Sequence, residues 1–256
     1  MGLAVAFAIF AGPASSTAGG PLHAIKEKSG FGPGGPNQFS SLTLACDLAN
    51  SLESGGWFGA DRGTHISASY PVNEGTWKVN WKNDGTVDKV GIRILCRADG
   101  PLPSYTAKLG GTGGGTPSGT ATLMADCPGD AVMAGGFFGL NPGSHLVRSD
   151  LEDADTWALS WRNDGSVDDV SVSLLCYDKS FISDIHDQQT SAAGDYNLLE
   201  DCLATEEWAV VLGGSHGVSL GTQVVTNMPE DNNTWKVRIS NDATPDQLSV
   251  RTGCIQ

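Results

Sequence analysis

One stretch of this chain is written three times, and no other feature restricts its possible folds as tightly. With Gly55-Gly56, Gly135-Gly136 and Gly213-Gly214 in register, a Thr-Trp pair ends at Trp77, Trp157 and Trp235. An Asn-Asp pair then begins at Asn83, Asn163 and Asn241, and a cysteine follows at Cys96, Cys176 and Cys254. The offsets from the first glycine, 22, 28 and 41 residues, are identical in all copies. A second cysteine precedes each glycine pair, at Cys46, Cys127 and Cys202. A period of about 80 residues in a chain of 256 implies one pseudo-symmetric body or three small modules, not two unrelated domains.

Within each copy the pattern is that of strands. Trp77, Val79 and Trp81 alternate with Lys78, Asn80 and Lys82, and the alternation returns at Trp157, Leu159, Trp161 and at Trp235, Val237, Ile239. A period of two with one apolar side marks a half-buried strand. Val90, Ile92, Ile94 and Cys96 form a second row, so the closing cysteine faces the core. Between the rows, Asn-Asp-Gly in the first two copies is a hairpin signal, because Asn and Gly accept positive φ; the third copy has Asn241-Asp-Ala instead. With 34 glycines and few runs suited to helices, the expected class is all-β. The architecture is three pseudo-symmetric, disulfide-closed antiparallel repeats of about five strands, β-prism-like or three small β-modules. Their bounds are 41–98, 121–178 and 197–256. Residues 99–120, with Gly-Gly-Thr-Gly-Gly-Gly, and 179–196 read as linkers, and 19–40 as a Gly/Pro-rich arm.

Two cysteines per copy and none left over predict the pairs Cys46–Cys96, Cys127–Cys176 and Cys202–Cys254. Each closes a loop that contributes about 3–4 kcal/mol in the chain-entropy treatment. A zinc site would need C-x-x-C or H-x-H spacing, which is missing, so neither metal nor cofactor is expected. Residues 1–18 combine an apolar run from Leu3 to Ala11 with small residues after it, the pattern of a secretory signal. The same run alternates Leu3, Val5, Phe7 and Ile9 with alanines, the pattern of a donor strand for a neighbouring subunit. It is too short to span a membrane, and no membrane insertion of the mature chain is expected. Fifteen Lys and Arg against 29 Asp and Glu give a net charge of −14, which argues against nucleic acid and anionic membranes as partners.

The run Asn83-Asp-Gly-Thr-Val-Asp-Lys-Val-Gly-Ile-Arg-Ile-Leu-Cys96 resembles the end of a repeat in the vitelline membrane outer layer protein I family. The resemblance implies a β-prism of three cysteine-bearing sheets with a lectin-like shape and a place in extracellular coats. The wider pattern of cysteine, Gly-Gly, Thr-Trp, Asn and cysteine is also similar to β-repeat modules of secreted bacterial proteins.

Gly213-Gly-Ser215-His216-Gly217 fits the G-x-S-x-G frame of serine hydrolases, but the same positions read Gly55-Gly-Trp-Phe-Gly59 and Gly135-Gly-Phe-Phe-Gly139. The glycines therefore belong to the repeat, Ser215 replaces an aromatic, and no catalytic residue is assigned. Asp150, Glu152, Asp153 and Asp155, and again Asp164, Asp168 and Asp169, read as solvated acidic loops; a calcium site would need a ligand frame that is missing. His65 and His145 correspond to each other, but Gln223 in the third copy argues against a metal on them. Asn232-Asn-Thr234 is a glycosylation sequon. Because adjacent strand residues point to opposite faces, one ring of each pair Trp57-Phe58 and Phe137-Phe138 must face outward. These four are the candidate binding residues. The expected function is a secreted, non-enzymatic module that binds carbohydrate or a cell-surface component. The alternatives are a self-associating subunit of an extracellular filament or coat, and a glycan-acting or hydrolytic enzyme.

Overall fold

The computed structural model describes residues 23–31, 38–47, 50–84, 89–98, 104–112, 119–127, 129, 131–163, 168–177, 182–192, 194–202, 210–218, 221–241 and 246–255. The segment 1–18 and the glycines of the hairpin turns lie outside them. Every element among the described residues is a strand. The first copy holds β1 (His23–Phe31), β2 (Phe39–Ala45), β3 (Asn50–Phe58), β4 (His65–Asn73), β5 (Thr76–Lys82) and β6 (Lys89–Ala98). The second holds β7 (Ser104–Thr112), β8 (Thr120–Asp126), β9 (Ala131–Phe138), β10 (His145–Leu151), β11 (Thr156–Arg162) and β12 (Asp169–Tyr177). The third holds β13 (Ile182–Ala192), β14 (Tyr196–Asp201), β15 (Val210–His216), β16 (Gln223–Pro229), β17 (Thr234–Ser240) and β18 (Asp246–Ile255).

Each copy thus has six strands where the sequence pattern gave five. The segments read as an arm and as linkers contribute β1, β7 and β13, which pair antiparallel with β6, β12 and β18. They are edge strands, hydrogen-bonded on one side only, so they need neither apolar alternation nor freedom from glycine and charge.

The strands assemble into three antiparallel sheets of six, and every sheet draws three strands from each of two copies. The orders are β1-β6-β3-β16-β17-β14, β13-β18-β15-β10-β11-β8 and β2-β5-β4-β9-β12-β7. The seams lie where β3 meets β16 (Trp57 opposite Asn227), β9 meets β4 (Phe137 opposite Ser69) and β15 meets β10 (Ser215 opposite Ser149). The first copy therefore leans on the third, the third on the second and the second on the first, a closed ring.

The glycine pairs make this ring possible. A Cβ on the second glycine would stand 1.8 Å from the Asn227 carbonyl oxygen at Gly56, 2.1 Å from that of Ser69 at Gly136 and 1.9 Å from that of Ser149 at Gly214. Only a residue without a side chain lets two backbones come so close. The first glycine of each pair makes room for an indole: Gly55, Gly135 and Gly213 face the rings of Trp77, Trp157 and Trp235. All three of these tryptophans are buried, and each donates its indole N–H eight residues back, to Ser69 Oγ, Ser149 Oγ and Asn227 Oδ1.

The predicted disulfides are present, with Cα separations of 5.8, 5.6 and 5.7 Å. Each stays within its copy but ties two sheets together, because Cys46, Cys127 and Cys202 follow strands of one sheet while Cys96, Cys176 and Cys254 lie in another. One continuous hydrophobic cluster runs through all three copies, from Val79 and Ile94 to Leu159 and Leu174 to Val237 and Val250. This is the three-walled arrangement of a prism around a common core.

Candidate functional site

The connections from β3 to β4, β9 to β10 and β15 to β16 converge at one end of the shared core. Each begins at a glycine with positive φ (Gly59, Gly139 and Gly217) and has another four residues on, at Gly63, Gly143 and Gly221. Just after the first of these, a backbone N–H donates across to another copy, from Ala60 to Val225, Leu140 to Ser67 and Val218 to Val147, each 3.2 Å. This docking holds the three loops around a cavity of about 420 Å³, within the size range of small-ligand sites.

Corresponding residues of all copies line it. Ile66, Leu146 and Val224 with Trp57 supply apolar wall, while Thr64, Ser144 and Thr222 supply hydroxyls and His65, His145 and Gln223 ring nitrogens and an amide. Gln223 accepts from the Gly63 N–H at 2.9 Å and donates to the Thr64 carbonyl, and the His65 Nε2 lies 3.4 Å from the Leu140 carbonyl. These side chains clip one copy to the next. Arg62, the one fixed cation among the described lining residues, donates to the Asn241 carbonyl. Burial lowers the His65 pKa below its ordinary 6.5; the Leu140 carbonyl opposes this, Lys82 adds to it, Asp168 opposes it and His145 adds to it. Among the described residues that line it there is no carboxylate. Two of its polar groups, the Trp57 indole N–H and the Ser144 hydroxyl, are buried without a hydrogen-bond partner among the described residues.

The four proposed binding aromatics behave differently from the expectation of an open ring. Trp57 and Phe137 are 3% and 1% exposed and meet edge to face with centroids 6.2 Å apart. As ring-stacking platforms they are ruled out, because adjacent copies cover them at the seams; Trp57 retains a role only as cavity wall. Phe58 and Phe138 do turn outward, but both are half-buried. The Phe58 ring lies over Gly91 with the Arg93 guanidinium 5.9 Å from its centroid, and Phe138 packs on Tyr70 at 4.8 Å.

Ser215 is 1% exposed in the middle of β15, paired with Val250 and Ser149, with no turn and helix to present it as a nucleophile. The acidic residues are partly structural rather than solvated. Asp150 is fully buried and pairs with Arg148 at 2.5 Å, and Glu152 takes both Arg148 and Arg251. Asp153 Oδ1 accepts from the Asp155 N–H in a turn, and Asp164 lies outside the described residues. Among the described residues no group of three or more His, Cys, Asp or Glu is placed to hold a metal ion.

Sequence reasoning missed Arg62, Thr64 and Ser144 as site residues; their signal was position, one loop per copy immediately before His65, His145 and Gln223. It also missed Phe39, whose ring is 60% exposed. Extending the alternation of Leu42 and Leu44 three residues upstream places Phe39 on the outer face, so the parity was available. No family model matches this chain, and no curated protein matches it.

Proposed function

We propose that this is a secreted, non-enzymatic module that binds a neutral carbohydrate in the cavity where the three copies meet. The observation that carries the reading is the pair of buried, unpartnered polar groups in the wall, the Trp57 N–H and the Ser144 hydroxyl. Buried polar groups are nearly always satisfied, so a donor and a hydroxyl on wall residues with no partner among the described residues fit a ligand with hydroxyls of its own. Apolar wall beside hydroxyls, imidazoles and an amide suits a sugar ring, which is apolar on its C–H faces and polar at its edge. Three disulfides fit an oxidising compartment.

The test is a glycan array followed by titration calorimetry with the best neutral sugar. Trp57→Phe keeps an aromatic ring and removes the N–H; Ser144→Ala removes the hydroxyl. Each is expected to weaken binding about tenfold, one hydrogen bond's worth, with little change in melting temperature. An array without a specific hit, or unchanged affinity in both variants, removes the proposal.

A filament or coat subunit is the second reading, favoured by one observation. Among the described residues, the large apolar side chains left exposed are Phe39, Met124, Tyr196 and Leu199. All lie on β2, β8 and β14, corresponding edge strands of the three sheets. Open apolar edges are where strands from other chains add.

A further inference from the structure

The repeat separates two kinds of residue. Those that recur in every copy, such as the glycine pairs and the Thr-Trp indoles, are explained by the closed ring. Of the large apolar side chains that break the repeat, Phe39 is the most exposed among the described residues.

Phe39 sits opposite Lys82 at the start of β2. At the same register in the second copy, opposite Arg162, stands Thr120. Inward from Phe39 on the outer face, Ser41 lies opposite Asn80. The second copy has Thr122 and Ser160 there, and these two hydroxyls bond each other at 2.9 Å. In the first copy the Asn80 Oδ1 is buried with no hydrogen-bond partner among the described residues. Phe39, Ser41, Lys78 and Asn80 line a groove of about 480 Å³, whose far side is the loop of the second copy at Leu140 and Asn141. The Lys82 ammonium stands over the Phe39 ring, 5.5 Å from its centroid.

From this arrangement we infer a second carbohydrate site, distinct from the cavity between the copies: a surface groove in which a neutral pyranose unit of a polysaccharide stacks on Phe39. The ring supplies a flat apolar face for the sugar C–H groups. Ser41, Lys78 and the Asn80 amide provide hydrogen-bond partners for the sugar hydroxyls at the rim. Among the described residues the ring is particular to the first copy, with Thr120 at the corresponding position of the second. A single stacked ring and a few exposed hydrogen bonds give weak affinity for one sugar unit, which makes a polymer with many equivalent units the fitting ligand.

Native gels cast with soluble β-1,3-glucan, β-1,4-xylan, galactomannan or dextran test it. The full chain should be retarded by at least one of the four. Phe39→Ala should lose at least nine-tenths of that retardation while melting as the parent does, and Phe39→Trp should restore it. Asn80→Ser should retain a fraction, and Thr120→Ala, at the corresponding position of the second copy, should migrate as the parent. Free migration of the parent in all four gels overturns the groove, and so does retardation that survives Phe39→Ala. Retardation lost in Ser144→Ala but kept in Phe39→Ala rejects the groove and leaves the cavity between the copies as the sugar site. Loss in Phe39→Ala alone supports the groove even where the cavity variants change nothing.

Discussion

The two glycines of each pair do different work, and substitution should tell them apart from glycines that merely turn the chain. Gly136 admits the backbone of another copy, and a methyl group there would stand 2.1 Å from the Ser69 oxygen and 2.6 Å from the Tyr70 Cα. Neither atom belongs to a flexible side chain, so the seam itself must open. Gly129 also has positive φ, 80°, but nothing lies within 4 Å of its would-be Cβ. Gly129→Ala should cost about 1–2 kcal/mol, the strain of a left-handed alanine. Gly136→Ala should abolish the folded state, read as loss of near-ultraviolet dichroism and of the thermal transition. His65 gives a pH test. Its pKa is lowered in the folded state, mainly by burial, so the unfolded chain binds the proton more readily. Stability tied to the neutral ring is fully present above pH 6.5 and is lost as pH falls through the lowered folded value. The melting temperature should drop between about pH 7 and pH 5, and less so in His65→Gln, which copies the residue the third repeat already uses.

At the scale of elements, the strands on each side of a seam are locked by corresponding residues of different chemistry. Arg93 of β6 donates to the Glu230 carbonyl and carboxylate, both at 3.0 Å. Arg251 of β18 donates to the Leu151 and Glu152 carbonyls at 2.9 and 3.2 Å. Ser173 of β12 donates to the Pro71 carbonyl at 2.6 Å and is fully buried. Because both arginines are partly exposed, solvent replaces much of what Arg93→Ala removes, and Ser173→Ala should cost at least as much, about 1–2 kcal/mol by urea denaturation. Equal and negligible losses would show that the seams are held by the sheet ladder alone. The same scale explains what the sequence made legible. β5 and β6 have one face on the core, so their apolar parity is forced: Trp77, Val79, Trp81 and Val90, Ile92, Ile94 are all buried. The fixed offsets made the cysteine pairs legible as well. β1, β7 and β13 bond on one side only and carry residues such as Lys26, Glu27, Gly110 and Gln188, so no parity betrays them. The candidate cavity was half legible. His65, His145 and Gln223 stood out by correspondence, but nothing local showed that one copy's loop docks on the next, which is what gathers them.

For the molecule as a whole, the decisive fact is that covalent closure and sheet closure follow different boundaries. Each disulfide stays inside a copy, whereas every sheet is half one copy and half another. A copy on its own would keep its disulfide but lose a partner at each of two seams: residues 23–98 would present β3 without β16 and β4 without β9. Trp57, now edge to face with Phe137 of the second copy, would stand in water, and the glycine-lined seams would become open sheet edges. Burying a large aromatic is worth about 1.5–3 kcal/mol. Exposing Trp57 together with two three-strand half-sheets therefore outweighs the net stability usual for a small domain. The oxidised 23–98 fragment should accordingly be unfolded, with flat near-ultraviolet dichroism and no calorimetric peak, although its disulfide is intact. The full chain should melt in one transition with equal calorimetric and van't Hoff enthalpies, because no copy unfolds without removing strands from both others. A fragment that melts cooperatively alone, or a full chain that melts in three steps, would mean that the copies are separate modules. The cavity between them would then be an accident of contact and not a site the fold maintains.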